Sequence, residues 1–246
     1  MPDYLDTASG RRLAYHQSTG AGPGVVFLGG FKSDMDGTKA LHLETWAKAQ
    51  GRAFLRFDYS GHGQSSGEFT KGAISDWAQD AQDAIEALTD GPQILVGSSM
   101  GGWISLLMTR RIPERIAALV TIAAAPDFTE DSMWDGFTDA QKADLEAGQV
   151  ALPSDYGEPY IITKRLIEDG RNNLVLRAPL PLPFPVRFLQ GTADADVDLS
   201  VALRLLDHAE GPDMQLTLVK GADHRFSDAP ALALIETTLT DVLSRL

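Results

Sequence analysis

Short apolar runs alternate along this chain with longer segments of helical period, and that rhythm admits few folds. Gly24–Gly30, Ala53–Tyr59, Gln93–Ser98, Ile116–Ala123, Pro185–Gly191 and Met214–Gly221 each read as a strand. Most are almost uninterrupted in apolar side chains and bounded by Gly, Pro or Asp, the signature of strands buried on both faces of a sheet. Between them Thr38–Gln50, Ala73–Thr89, Met100–Arg111, Leu199–Ala209 and Pro230–Leu246 read as helices. The alternation predicts an α/β class fold with a mostly parallel, doubly wound sheet. Asp3–Thr7 and Arg11–Gln17 flank the turn Ala8-Ser9-Gly10, so an antiparallel N-terminal edge is expected. The length, 246 residues, suits one large core, and residues 1–246 are read as a single domain.

One stretch breaks the rhythm. Asp127–Arg177 separates two strand signals by about fifty residues, far more than a crossover requires. It is acidic early and carries Phe128, Trp134, Phe137, Tyr156 and Tyr160, with helical patterns near Asp139–Gly148 and Ile161–Asp169. Pro153 and Pro159 break it into short pieces. It reads as an inserted cap, with Met133 and Trp134 among the expected walls of a substrate pocket. The proline run Pro179–Pro185 lacks the P-x-x-P spacing of a polyproline ligand and reads as a stiff lead-in to the next strand.

Composition narrows the function classes. With no cysteine, a disulfide scaffold, a thiolate nucleophile, an Fe–S cluster and Cys-ligated zinc are excluded. The formal charge of −13 repels phosphate backbones and anionic lipid, and the basic residues come singly or in pairs, so no nucleic-acid partner is expected. No apolar run approaches the length of a membrane span. Met1-Pro2-Asp3-Tyr4 has neither the basic nor the apolar character of a secretory signal, and no mitochondrial transit peptide is read there. The expectation is a cytoplasmic enzyme acting on small molecules.

Gly97-Ser98-Ser99-Met100-Gly101-Gly102 follows a strand and opens a helix, which is the setting that G-x-S-x-G requires. A serine on so sharp a turn needs neighbours almost bare of side chain, and Gly97 and Gly101 supply them. Gly102 lets the helix pack behind the turn. Ser99 is then the candidate nucleophile, while Ser98, one residue out of frame, faces the core. The bland alternative is a Gly-rich connection in which Ser99 caps the helix.

Serine needs a general base. Of His16, His42, His62, His208 and His224, only His208 and His224 follow Ser99, as the fold's chain order requires, and His208 sits inside a helical pattern. His224 follows the last strand, at the edge where a loop reaches the elbow. The imidazole in turn needs a carboxylate. Asp198 is placed to cap the next helix, leaving Asp194 as first candidate, nearest the strand end, with Asp196 and Asp127 as alternatives. The oxyanion calls for two backbone donors: Met100 N–H, next to the nucleophile, and Phe31 N–H, in the loop after Gly24–Gly30.

Gly61 and Gly63 in Asp58-Tyr59-Ser60-Gly61-His62-Gly63-Gln64-Ser65-Ser66-Gly67 begin a G-x-G-x-x-G, but Ser66 fills the third place and no P-loop occurs, so nucleotide binding is disfavoured. His62 reads as structural. No H-E-x-x-H pair supports a metal, and no cofactor is expected.

Gly97–Trp103, Arg56-Phe57-Asp58-Tyr59-Ser60-Gly61 and the downstream Asp and His resemble the serine α/β-hydrolase superfamily over almost the whole chain. Within it, Gly37-Thr38-Lys39-Ala40, Asp90–Gly97 and Asp223-His224-Arg225 are similar to the mitochondrial palmitoyl-protein thioesterase type, which also cleaves mycophenolic acid acyl-glucuronide. The resemblance implies the α/β-hydrolase fold, Ser99 as nucleophile, Asp194 as acid and His224 as base. It also implies a small-molecule acyl ester or thioester, or an acylated protein, as substrate. An amidase, peptidase or C–C hydrolase of the same fold is the rival enzyme. A non-catalytic binding module is the rival outside catalysis, and a complete Ser, Asp and His set weighs against it.

Overall fold

A computed structural model describes residues 1–153 and 159–246; Tyr156 of the insertion lies outside the described residues. In chain order the elements open with β1 (Asp3–Asp6), β2 (Arg12–Ser18), β3 (Ala21–Leu28), α1 (Thr38–Ala49), β4 (Arg52–Phe57), α2 (Ile74–Leu88) and β5 (Gln93–Ser98). They continue with α3 (Met100–Arg111), β6 (Ile116–Ile122), α4 (Asp139–Glu146), β7 (Gln149–Leu152), β8 (Tyr160–Thr163) and α5 (Lys164–Arg171). The chain closes with β9 (Leu180–Pro181), β10 (Val186–Gly191), α6 (Leu199–His208), β11 (Ala209–Glu210), β12 (Met214–Val219) and α7 (Ala229–Leu243).

Eight strands form one sheet in the order β1-β2-β4-β3-β5-β6-β10-β12. The hairpin β1–β2 is antiparallel, β2 runs antiparallel to β4, and every later pairing in this sheet is parallel. The fold is therefore the expected α/β hydrolase architecture, a mostly parallel sheet with an antiparallel N-terminal edge.

Why the central strands are apolar throughout is visible in their alternation. Val26 and Leu28 of β3, Leu55 and Phe57 of β4 and Leu95 of β5 pack on one face with α2 and α3. Val25, Phe27, Phe54, Ile94 and Val96 turn to the other face against Leu43 and Trp46 of α1 and Ile235 and Leu239 of α7. Successive strand residues point to opposite faces, so a sheet covered on both sides needs apolar residues at every position. α2 shows the complementary pattern, burying Ile74, Trp77, Ala78, Ala81, Ala84 and Ile85 at three- and four-residue intervals. Among the described residues no helix is long and apolar enough to cross a membrane.

The insertion differs from expectation in one element. Ile161–Asp169 was expected to be helical, yet Tyr160–Thr163 is a strand paired antiparallel with Gln149–Leu152, and the helix begins only at Lys164. The reason is cross-strand pairing: the run Tyr-Ile-Ile-Thr suits a pleated surface and finds a partner there. Thr163 then caps α5, its side chain accepting the Leu166 N–H. A π-helical turn at Thr129–Trp134 precedes α4.

Candidate active site

Ser99 lies between β5 and α3 at φ +55°, ψ −119°, a conformation that L-residues avoid and that a structure must enforce. Its N–H is tied to the Ile122 carbonyl at 2.9 Å, and its carbonyl accepts from Gly102 and Ala125. The flanking glycines are dictated by backbone approach. A Cβ on Gly97 would meet the Gly101 carbonyl, and one on Gly101 would run into the Leu28 carbonyl. Gly102 packs against Ala124, as the close seating of the helix requires. Ser98 is buried, and it also borders the cleft beside Ser99.

The loops after β10 and β12 deliver the other two groups to the same edge, the carboxyl ends of the parallel strands. His224 Nε2 lies 3.1 Å from Ser99 Oγ, and His224 Nδ1 lies 2.9 Å from Asp194 Oδ2. The Asp194 side chain is 1% exposed. Its Oδ1 accepts the N–H groups of Asp196 and Val197, and its Oδ2 accepts from Gln190 Nε2. Burial pushes the Asp194 carboxyl up, but the His224 bond and these backbone donors outweigh it and hold the group below the usual carboxylate range.

The structure separates the competing acids. Asp196 is exposed, and its N–H is spent on Asp194. Asp198 caps α6 as expected, accepting the Ser200 N–H. Asp127 is fully buried and spent elsewhere, accepting the N–H groups of Val175 and Leu176 and pairing with Arg177 at 2.8 Å. Burial raises its carboxyl, and those two N–H groups work against the rise. Asp194, Asp196 and His224 bring ligating atoms within 4.8 Å of one another, a spacing open to a cation, though Asp194 and His224 are engaged with each other and with Ser99.

Opposite Ser99 runs the loop after β3. Gly30 sits so near that a Cβ there would lie 3.4 Å from Ser99 Cβ. Among the described residues the Phe31 N–H donates to no protein group. Met100 N–H, in the first turn of α3, has no intrahelical partner. The Phe31 ring is clamped edge-on by Phe69 and Trp77 of the body and by Phe128 of the insertion, with centroids 4.8, 5.8 and 5.6 Å away.

These groups open into a cleft of about 1020 Å³. Phe31, Phe128, Met133, Leu152 and Tyr160 supply its apolar lining; Lys32, whose ammonium lies 4.9 Å from the centre of the Tyr160 ring, Lys39 and Arg225 also border it. Lys39 is lowered to about 8 by burial, against the pull of Asp223. Met133 lines the cleft. Trp134 does not: its ring is covered by Arg171 and Lys142, at 4.5 and 5.1 Å. A residue one place along a helical turn faces a different direction, which the aromatic content of the segment does not reveal. Leu152 and Val201 border the cleft without any signal in the sequence, since an isolated aliphatic carries no motif, and Val197, readable as a packing anchor behind Asp194, borders it too.

The alpha/beta hydrolase fold family matches residues 26–152. The human palmitoyl-protein thioesterase ABHD10, mitochondrial, is 35% identical over 237 residues, 95% of this chain and 77% of its own length. The rat protein of the same name is also 35% identical, over 95% of this chain and 80% of its own length. Among solved structures, the mouse alpha/beta hydrolase domain-containing protein 10 superposes with a TM-score of 0.92 at 33% identity, covering 99% of this chain and 98% of that one. A chain from Agrobacterium vitis S4 gives 0.94 at 37% identity, covering 98% of each. The relatives are named as mitochondrial proteins, which overturns the expectation of a cytoplasmic location.

Proposed function

The chain belongs to the alpha/beta hydrolase fold family and is an ester- or thioester-cleaving hydrolase; on that premise we propose that Ser99, His224 and Asp194 carry the reaction through an acyl-Ser99 intermediate. The observation that carries this reading is the alignment of the three side chains, at 3.1 and 2.9 Å, on a strained elbow bordering an apolar-lined cleft.

The chemistry follows from the geometry. His224 Nε2 accepts the Ser99 proton as Oγ attacks the acyl carbonyl carbon. Negative charge gathers on the carbonyl oxygen, where the N–H groups of Phe31 and Met100 meet it. Asp194 holds the imidazole in its Nδ1–H form and stabilises the cation formed at His224. The imidazolium returns the proton to the leaving sulfur or oxygen as the tetrahedral intermediate collapses. A water deprotonated by His224 then attacks the acyl-serine, and Ser99 leaves with the proton.

The chain 1–246 acts as one domain in this reading, with 127–177 as a cap whose Phe128, Met133 and Tyr160 receive the acyl chain. The names of the relatives favour long acyl thioesters, including acyl groups carried on protein. Each CH₂ buried contributes about 0.8 kcal/mol, so four added methylenes raise kcat/KM by roughly two hundredfold if the lining receives them. The test is an acyl-chain series of matched esters and thioesters assayed with wild type and Ser99→Ala. A Ser99-dependent rise from acetyl to medium or long chains supports the reading. Activity that peaks at acetyl, or that prefers amides or diketones, overturns it.

A further inference from the structure

The glycine-punctuated loop Asp58–Gly67 is the one sequence motif that the reaction above leaves without a task. In the structure it grips the loop after β3 at two points. Asp58 Oδ1 accepts the Met35 N–H at 2.7 Å, and His62 Nε2 accepts the Lys32 N–H at 3.2 Å. Gly63, at φ +45°, lies so close to Asp58 that any Cβ there would overlap the carboxylate, so the glycines serve this close packing and not a phosphate.

Lys32 follows Phe31 directly. The Ser33 N–H bonds to the Gly30 carbonyl at 3.2 Å, making Phe31 and Lys32 the central pair of a β-turn. Only the second of the pair, Lys32 at φ +56°, has a positive φ, which defines a type II turn in which glycine or asparagine is the favoured residue. A lysine there is strained, and a strained turn persists only where its surroundings hold it. Turning over the peptide between Phe31 and Lys32 would relieve the strain by a type I turn, and that peptide is the one whose N–H His62 holds.

His62 is built for this. Its Nδ1 lies 3.2 Å from the Ser60 carbonyl, which can only accept, so Nδ1 carries the proton and Nε2 presents the lone pair. The ring is fixed edge-on by Trp77, Phe69 and Tyr59, at centroid distances of 5.1, 5.2 and 5.6 Å. Ser60 is itself anchored on the buried Asp80, which accepts both its N–H and its Oγ–H. Burial lowers the imidazole to about 4, so it stays neutral and able to accept through the neutral range.

We propose that His62 is a positioning residue for the oxyanion hole: by holding the Lys32 N–H it fixes the strained turn Gly30–Ser33, and with it the seat of the Phe31 N–H beside Ser99. The proposal rests on the reading of Phe31 as an oxyanion donor. Its effect is bounded by that of a lost donor, which is 10²- to 10³-fold in kcat.

His62→Ala should lower kcat by about 30- to 100-fold and leave KM within about threefold. Its affinity for an acyl trifluoromethyl ketone, whose adduct with Ser99 bears the oxyanion, should fall by a similar factor. Affinity for the matching alcohol, which forms no adduct, should hold. His62→Gln, whose amide oxygen can accept the same N–H, should recover most of kcat. A His62→Ala enzyme with wild-type kcat, or one whose loss leaves ketone affinity intact, overturns the proposal while leaving the parent reading standing. A wild type that binds ketone and alcohol alike overturns the parent reading and the proposal with it. Should His62→Ala fail to fold, ring ¹⁵N spectra of the wild type decide: the Nδ1–H tautomer is required, and an Nε2–H tautomer overturns the proposal.

Discussion

The nucleophile elbow and the inserted segment stand face to face across one cleft and are built on opposite principles. The elbow is chiefly a matter of backbone approach: a Cβ on Gly97 would meet the Gly101 carbonyl and Ser105 Oγ, and one on Gly101 the Leu28 carbonyl, so one residue type is admissible. The insertion is a small hairpin, β7–β8, with short helices, tied to the body by side chains. Its two ends meet at Asp127, which accepts the N–H groups of Val175 and Leu176 and pairs with Arg177. Asp131 extends the clasp to Arg177 and to Arg204 of α6. Backbone contact tolerates no drift and suits atoms that must react. Side-chain ties can be redrawn without disturbing the sheet and suit a surface that selects among substrates.

The sharpest break of that contrast is at the elbow's reacting atoms. Ser99→Ala and His224→Ala should each lower kcat by roughly 10⁴-fold or more, and the double variant should cost little beyond either. Additive losses in single-turnover assays would show that the two groups do not act as one. Next comes the choice of acid. Asp194→Asn should cost about 10³- to 10⁴-fold in kcat, whereas Asp196→Asn should stay within about tenfold of wild type. Exchanged results would move the acid to the exposed residue, against the bonds that Val197 and Asp196 donate to Asp194. The mildest effect belongs to the clasp. Asp127→Ala strands two buried N–H groups and should lower stability by about 2–4 kcal/mol in calorimetry. Hydrolysis of an acetyl ester should stay within about threefold, while kcat/KM for a long-chain substrate falls about tenfold or more. Equal losses on both substrates would mean that elbow and insertion are one unit.

Where the chemistry is local, it was legible. The helix expected at Met100–Arg111 is observed over those residues, and Asp198 was readable as a cap, since capping involves only the next few residues. The three side chains that converge could be named from motif and chain order. Trp134 could not be placed, because its direction depends on which cations cover it. The cytoplasmic expectation rested on bulk composition and an undistinguished beginning, and neither carries an address.

By itself, then, the sequence determined the alternation of strand and helix, the elbow and its glycines, because hydrophobic period and backbone crowding act within a few residues. The tertiary structure decided which of three aspartates meets His224 and that Tyr160–Thr163 pairs as a strand. It also turned a loop that resembled a nucleotide motif into a grip on Lys32 and Met35. The meeting of Asp194 with His224 and the grip on Lys32 and Met35 depend on partners tens of residues away, brought together only when the sheet's parallel strands deliver their loops to one edge, whereas the strand pairing of Tyr160–Thr163 needs its hairpin partner Gln149–Leu152 to be in place.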